Sequence, residues 1–486
     1  MTSPAILLPF LKDLRVLVLG MGREGVSSAK AALRSGARVT VTDDFPESLS
    51  AGFETLQSYA RDLGELPTKD ASAKTMAFYP PQAVEAEKVD VACFDMVIVS
   101  PGVSNVCAPN PHPLVVAALR HNVRLTGNTD LFFQAKPQGR FVGVSGTNGK
   151  SSTVSMIHWA LEKLGCKAVL AGNIGCPLLD LSPPTADQVT VIELSSYQLD
   201  QSPNLALDAA LLLPITPDHL DRYHSFDDYE ASKKRLLDSV KPGGHTFYAA
   251  GCPIQSAWAK ESSHKHWVPV GSKSATQDCG FYIHEAQMCR AGKGDFALSL
   301  ADWPVHLSQG LALGALAIVS SLGFAPEKAL LALKSWPGLP HRLEPIPSNL
   351  PIHFINDSKA TNVASAKYAL NNCDGRPLFW LCGGRLKQDD PLKALLPLPK
   401  SLKAVFAFGE GRGAFYQFLK PHAPACFVLD SLDQAVHAAV RQAKTEASSS
   451  ETEKPIILLS PAGSSFDAFQ NFEKRGQHFK ELVSLF

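Results

Sequence analysis

Residues 140–152 read Arg-Phe-Val-Gly-Val-Ser-Gly-Thr-Asn-Gly-Lys-Ser-Ser. An apolar, β-prone run enters a turn with two glycines, and a lysine with two hydroxyls opens the helical stretch beyond. In such a strand–turn–helix the backbone can wrap a phosphate, whose charge is met by loop N–H groups and the positive helix end. Gly146, Thr147, Asn148, Gly149 and Ser152 form the cradle, Lys150 is placed to neutralise the outer phosphates, and the Ser151 hydroxyl to ligate magnesium. Val144 stands where the strict G-x-x-x-x-G-K pattern has its first glycine. The alternative, a turn that only connects, is disfavoured by the setting between strand and helix.

Working outward, Glu193 ends the strand-like run Val-Thr-Val-Ile-Glu. Asp218-His219-Leu220-Asp221 follows the next such run, and Lys233 lies one helix further on. Magnesium prefers oxygen ligands, so Glu193 is the natural one and a histidine the unusual one. Upstream, Gly20-Met21-Gly22-Arg23-Glu24-Gly25 follows the strand-like RVLVL, with Asp43 after the next strand. That pattern suits a dinucleotide, since the glycines admit a pyrophosphate and the acid reaches a ribose hydroxyl. An NAD enzyme would leave the second phosphate loop unexplained, whereas a nucleotide-sugar could use the same turn. Downstream come His341-Arg342, Asn356-Asp357-Ser358-Lys359-Ala360-Thr361-Asn362, Gly383-Gly384 with Lys387, and Ser460-Pro461-Ala462-Gly463-Ser464-Ser465. Cations and hydroxyls at strand ends suit a substrate bearing carboxylates, and Arg342 could reach a γ-phosphate. Asn, Asp and Ser are also ordinary strand-end residues.

Repeated strand–helix alternation predicts α/β architecture with mainly parallel sheets. Length divides the 486 residues into three blocks, read as 1–128, 129–336 and 337–486. Residues 50–90 read as a polar insertion, 241–305 as short strands and turns, and Ser448–Ser450 as a surface loop. Lys+Arg and Asp+Glu balance at 46 each, so an anionic substrate must be met by local sites; nucleic acid and membrane are not expected partners. The ten cysteines include no C-x-x-C pair, which argues against a zinc site or a disulfide framework. The N-terminus lacks a basic region and cleavage site, and no uncharged run is long enough to span a bilayer, so a cytoplasmic protein is expected.

Taken in order, GMGREG, SPG, GTNGKSS, GNIG, ELSSYQL, TPDHLDRY, GLPHR, NDSKATN and SPAGSSFDAFQNFEKRG resemble the Mur ligase family, and within it the D-glutamate-adding branch. The resemblance implies three domains. A Rossmann-like N-terminal domain grips UDP-N-acetylmuramoyl-L-alanine, a central P-loop ATPase domain binds ATP, and a Rossmann-like C-terminal domain brings D-glutamate. It implies a monomer, with ATP and two Mg2+ ions. Gly22, Arg23, Asp43, Asp44 and Ser100 fall where the family contacts the uridine nucleotide, and Asn173 and His219 near the reacting end. Lys150, Glu193, His219 and Lys233 carry the catalytic roles. The metal ligands are Ser151, Glu193, His219 and Lys233, the last as a carbamate. Arg342 and Asp357 join the loop residues around ATP, and Thr361, Lys387, Ser465 and Phe472 surround D-glutamate.

Three departures from the family pattern stand out. Ser308-Gln309-Gly310-Leu311-Ala312-Leu313-Gly314 lacks the asparagines of a His-Asn-x-x-Asn motif that touches ATP. Pro214 replaces an asparagine, and Arg385-Leu386 precedes Lys387 where an acid is usual. The competing readings are a relative using another amino acid, such as another Mur ligase or a folylpolyglutamate synthetase, and a nucleotide-binding homologue that has lost ligation. A dehydrogenase has only GMGREG in its favour.

Overall fold

The computed structural model describes residues 5–65, 82–218, 222–262, 267–272, 280–291, 296–304, 307–373, 375–386, 391–449 and 454–486. Among these the chain forms three sheets. It divides into two compact units, Met1–Ala301 with Gln309–Trp336, and Asp302–Ser308 with Pro337–Phe486.

The first sheet holds β1 (Arg15–Leu19), β2 (Arg38–Thr42), β3 (Gln82–Ala83), β4 (Met96–Val99) and β5 (Arg124–Thr126), in the order β3-β2-β1-β4-β5 and parallel throughout. Four of the five β1 residues are buried, because helices cover both faces and no polar alternation is needed. The strand order reverses between β1 and β4, which opens a crevice beyond their carboxyl ends. Gly25 lets the helix Arg23–Arg34 close on that turn, since a Cβ there would sit 1.8 Å from the Gly20 carbonyl oxygen.

The second sheet runs β14-β13-β12-β11-β10-β9-β6-β8-β7. Its strands are β6 (Arg140–Ser145), β7 (Ala168–Gly172), β8 (Val189–Glu193), β9 (Leu207–Leu212), β10 (Val240–Ala249), β11 (Trp267–Ser272), β12 (Gly280–His284), β13 (Gln287–Ala291) and β14 (Phe296–Ser299). All pairings are parallel except those of β13. β6 lies between β8 and β9, with Val144 opposite Glu193 and Ser145 opposite Leu212. Whatever follows β6 is therefore flanked by the ends of both neighbours.

The second unit is built on β15 (Glu344–Ile346), β16 (His353–Asn356), β17 (Leu378–Gly383), β18 (Leu402–Phe408), β19 (Cys426–Val428) and β20 (Ile456–Ala462), ordered β15-β16-β20-β17-β18-β19. Only β15 runs antiparallel to its neighbour. Apolar layers pack on both faces of this sheet, one around Trp380 and Phe415, the other around Phe406 and Phe479.

Three sequence expectations need correction. The polar excursion at 50–90 is largely regular: Pro46–Glu65 is a helix whose apolar positions Phe53, Leu56 and Ala60 pack on the first core, and β3 extends the sheet. Residues 66–81 lie outside the described residues. The 241–305 segment carries the helix Pro253–Glu261 besides its strands, with Pro253 at the first helical turn where a missing N–H costs nothing. Ser448 and Ser449 are not loop but the end of the helix Leu432–Ser449.

Trp380 is fully buried and its indole N–H donates to the Ser460 carbonyl at 2.8 Å. Trp380→Ala should destabilise the second unit by about 3–5 kcal/mol, and Trp380→Phe by less, as read by urea unfolding followed by circular dichroism.

Candidate functional site

The phosphate loop closes where the sequence places it. Gly146 has φ +143° and Gly149 φ +82°, and the helix Lys150–Lys163 starts at once. A side chain at Gly149 would be strained by its backbone and would also meet Leu311 at 2.7 Å. The Thr147 hydroxyl donates to the Thr216 carbonyl at 2.9 Å and accepts the Thr216 N–H at 3.0 Å, fixing the loop to the segment after β9. The same oxygen lies 3.2 Å from the buried Tyr229 hydroxyl, whose pKa is pushed up to about 12 by burial. Lys150 Nζ donates to the Gly146 and Thr147 carbonyls at 2.9 and 2.7 Å. Ser151 is buried at the first turn of the helix.

Lys233 reaches the same place from the helix Phe226–Asp238. Its Nζ donates to Ser145 Oγ at 3.1 Å and to the Gly146 carbonyl at 3.0 Å, and the side chain is buried. Burial drives this ammonium well below the ordinary lysine range; Lys150 pushes the same way, while Asp218, Glu193 and Asp200 oppose.

Glu193, 1% exposed, accepts from Asn173 Nδ2 at 2.7 Å through Oε1. Its Oε2 is buried with no hydrogen-bond partner among the described residues. An orphaned carboxyl oxygen beside a phosphate loop and a buried serine hydroxyl fits a hard divalent cation. Among the described residues no three His, Cys, Asp or Glu side chains cluster for a metal, so such an ion would draw further oxygens from phosphates, which is magnesium's habit. His219 lies outside the described residues.

A cavity of about 870 Å³ opens beyond β1 and β4. Gly22, Arg23, Asp43, Asp44, Ser100 and Asn173 all line it. Asp43 accepts the Met21 and Phe45 N–H groups at 2.6 and 2.9 Å, Asp44 pairs with His112 at 2.8 Å, and the Ser100 hydroxyl donates to the Gly20 carbonyl at 2.6 Å. The Arg23 guanidinium donates to the Gly175 carbonyl, which ties the first helix to the GNIG turn. Six of the seven nucleotide-sugar residues expected from sequence thus share one wall system.

In the second unit Asp357 follows β16, fully enclosed. It accepts from the Ser460 hydroxyl at 2.8 Å and the Leu343 N–H at 3.2 Å, with Arg342 next in chain. Burial pushes its carboxyl up to about 7 against these bonds and the Arg342 charge. Arg475, itself buried, donates to Ser358 Oγ and O and to the Gly463 carbonyl, lacing the NDSKATN and SPAGSS segments together. The Ala462 N–H bonds the Ala360 carbonyl at 2.9 Å, so Thr361 and Ser465 leave adjoining strand ends. Phe472 starts the helix Phe472–Ser484, its carbonyl accepting from the Ser358 hydroxyl and its ring lying under Lys359 Nζ at 3.8 Å. Lys387 lies outside the described residues.

Sequence reasoning missed Glu24, His112, Gln198 and Tyr229. The Ser195-x-x-Gln198 capping box was legible as a helix start, but nothing marked its glutamine as the partner of Glu24.

A carboxyl whose folded pKa lies above its unfolded value, about 4, contributes stability that is fully present below pH 4 and lost as pH rises through 7. For Asp357 this loss should be on the order of 3 kcal/mol. Unfolding midpoints from pH 4 to 8 should therefore fall more steeply for the native chain than for Asp357→Asn; parallel curves would contradict the assigned burial.

A model of the Mur ligase middle domain matches residues 144–293. The UDP-N-acetylmuramoylalanine--D-glutamate ligase of Novosphingobium aromaticivorans is 35% identical over 476 residues, covering 96% of this chain and 94% of that protein. The ligase of the same name from Brucella abortus is 34% identical, covering 97% and 96%. Among solved structures, UDP-N-acetylmuramate-alanine ligase MurC from Thermotoga maritima aligns with a TM-score of 0.54 at 17% identity, over 97% of this chain and 99% of that one; it speaks for the fold. With its phosphate loop, nucleotide crevice and near full-length likeness to these relatives, the chain belongs to the Mur ligase family, among the UDP-N-acetylmuramoylalanine--D-glutamate ligases.

Proposed function

We propose that the chain uses ATP to join D-glutamate to the alanyl carboxyl of UDP-N-acetylmuramoyl-L-alanine in peptidoglycan precursor synthesis. The observation that carries this reading is Asn173. It lines the nucleotide-sugar cavity and also bonds Glu193, the carboxylate beside the phosphate loop. A ligand held by its nucleotide in the cavity therefore presents its far end where ATP phosphates lie.

A carboxylate resists amines until one oxygen becomes a leaving group. Transfer of the γ-phosphoryl group to that oxygen gives an acyl phosphate and ADP. The amine of D-glutamate attacks the carbonyl carbon, the tetrahedral intermediate expels phosphate, and the amine's surplus proton is lost as the amide forms. Lys150 holds the transferring charge, and the loop N–H groups orient the triphosphate. The Ser151 hydroxyl and Glu193, with phosphate oxygens, would hold magnesium, which would supply charge neutralisation at the transferring group. A second ion would rest on His219 and on Lys233. A neutral lysine amine can add to carbon dioxide with loss of a proton, giving a carbamate that ligates as a carboxylate does; the burial of Lys233 supports that form. Arg342 and Asp357 serve the nucleotide, and Thr361, Lys387, Ser465 and Phe472 the incoming amino acid. We read the protein as a cytoplasmic monomer in three functional parts, 1–128, 129–336 and 337–486; none of its described helices is long and apolar enough to cross a membrane.

Phosphate release by the purified protein with ATP and UDP-N-acetylmuramoyl-L-alanine should require D-glutamate and be absent with L-glutamate or no amino acid. Equal release in all three would defeat the ligase reading. Lys150→Ala should lower kcat by about a thousandfold or more while leaving the circular dichroism spectrum unchanged. Lys233→Ala should regain part of its activity in short-chain carboxylic acids, and failure of every such acid would count against the carbamate.

A further inference from the structure

The nucleotide-sugar cavity contains one carboxyl group that the reaction above leaves without a role. Glu24 lines it from the first turn of the helix Arg23–Arg34. Its Oε1 accepts from Gln198 Nε2 at 2.5 Å, while its Oε2 is buried with no hydrogen-bond partner among the described residues. Gln198 is poorly placed to serve both oxygens. Its own Oε1 accepts the Ser195 N–H at 2.8 Å and the Ser195 hydroxyl at 3.0 Å, and its backbone N–H is held by Ser195 Oγ. The amide is locked by the capping box, so the carboxyl is pinned at one end.

The other acids of the same cavity are differently placed. Both Asp43 oxygens take backbone N–H groups, and Asp44 is paired with His112. Of the other titratable groups lining the cavity, which are Arg23, Asp43, Asp44 and His112, only Arg23 draws on Glu24, and burial outweighs it together with Gln198, pushing the carboxyl up to about 7. A carboxylate here would face an anionic diphosphate and repel it, whereas a carboxylic acid would offer it a donor.

We propose that Glu24 binds the nucleotide-sugar as a neutral carboxylic acid, its side chain turning the unpartnered Oε2 out of its buried position so that this hydroxyl donates to an oxygen of the diphosphate-sugar portion, and ligand and proton enter together. This rests on the nucleotide-sugar reading of the cavity. The sign follows directly. The protonated form binds, so affinity is constant while Glu24 is already protonated and weakens as pH rises beyond 7, by up to about tenfold per pH unit. Glu24 is here a specificity residue for the proposed reaction, since an uncharged oxygen-rich ligand gains less from excluding a carboxylate.

Isothermal titration calorimetry with UDP-N-acetylmuramoyl-L-alanine tests this. The ligand's diphosphate is doubly esterified and does not titrate near neutrality. At pH 7.5, comparison of Hepes and Tris should reveal uptake of most of one proton per ligand by the native chain, and uptake should increase between pH 6 and 8.5 with a midpoint near 7. Glu24→Gln should take up none, and its Kd should vary by less than twofold across that range, where the native Kd rises at least tenfold. Binding without proton uptake by the native chain, or uptake retained in E24Q, overturns the role of Glu24 alone. Absence of binding at every pH overturns the nucleotide-sugar reading instead. The native two-buffer and pH series decide the matter even if E24Q does not fold.

Discussion

One carbonyl oxygen, that of Gly146, receives two lysine amines, Lys150 at 2.9 Å and Lys233 at 3.0 Å. Two ammonium charges so close, one of them fully buried, repel strongly in a medium of low dielectric constant. The arrangement holds because burial drives Lys233 toward its neutral form, and its other hydrogen bond is to a hydroxyl, Ser145 Oγ, with the Tyr229 ring 5.2 Å away. That hydroxyl in turn donates to the Leu194 carbonyl at 2.7 Å, while the Leu194 N–H bonds Val144. The loop, the end of β8 and the lysine helix are thus fastened to one another at the point where charge must be handled. Burial thus sets Lys233 apart from Lys150 although the residue type is the same.

The first two sheets form a single compact unit with no division at 128/129. The chain between them is packed, not strung out as a linker. Asn128 donates to Ser28 and Ser27 at 3.0 and 3.3 Å, Asp130 accepts from Asn204 at 3.0 Å, and Phe132, Phe133 and Phe141 meet edge to face. Arg23 and Glu24 reach across from the first helix to Gly175 and Gln198. These bonds tie the helix after β1, and with it the crevice beyond β1 and β4, to the second sheet.

The parts of this design that lie within one short segment were legible in the sequence. GTNGKSS announces its own geometry, because glycines, lysine and hydroxyls act on a ligand within one loop. GMGREG with Asp43 did so too, and the spacing put both on one strand edge. Partnerships across the sequence were not legible. Glu24 and Gln198 are 174 positions apart, and no local rule gives a glutamate in a glycine-rich turn a glutamine in a later capping box. Nothing local marks Tyr229, and only the fold brings its hydroxyl to Thr147. The segment at 50–90 was misjudged for a different reason: its polar residues cover one face of a helix whose sparse apolar positions still reach the core.

The stretch 308–314, which carries no asparagine, makes a tertiary contact of its own. Leu311, on the first turn of the helix Gln309–Ser321, stands against Gly149 so closely that any Cβ there would fall 2.7 Å from its Cδ2. Gly149 also occupies the left-handed conformation that starts the helix Lys150–Lys163. The Leu311 side chain thus packs on the back of the loop. The phosphate loop of this chain is therefore braced from behind by an apolar side chain.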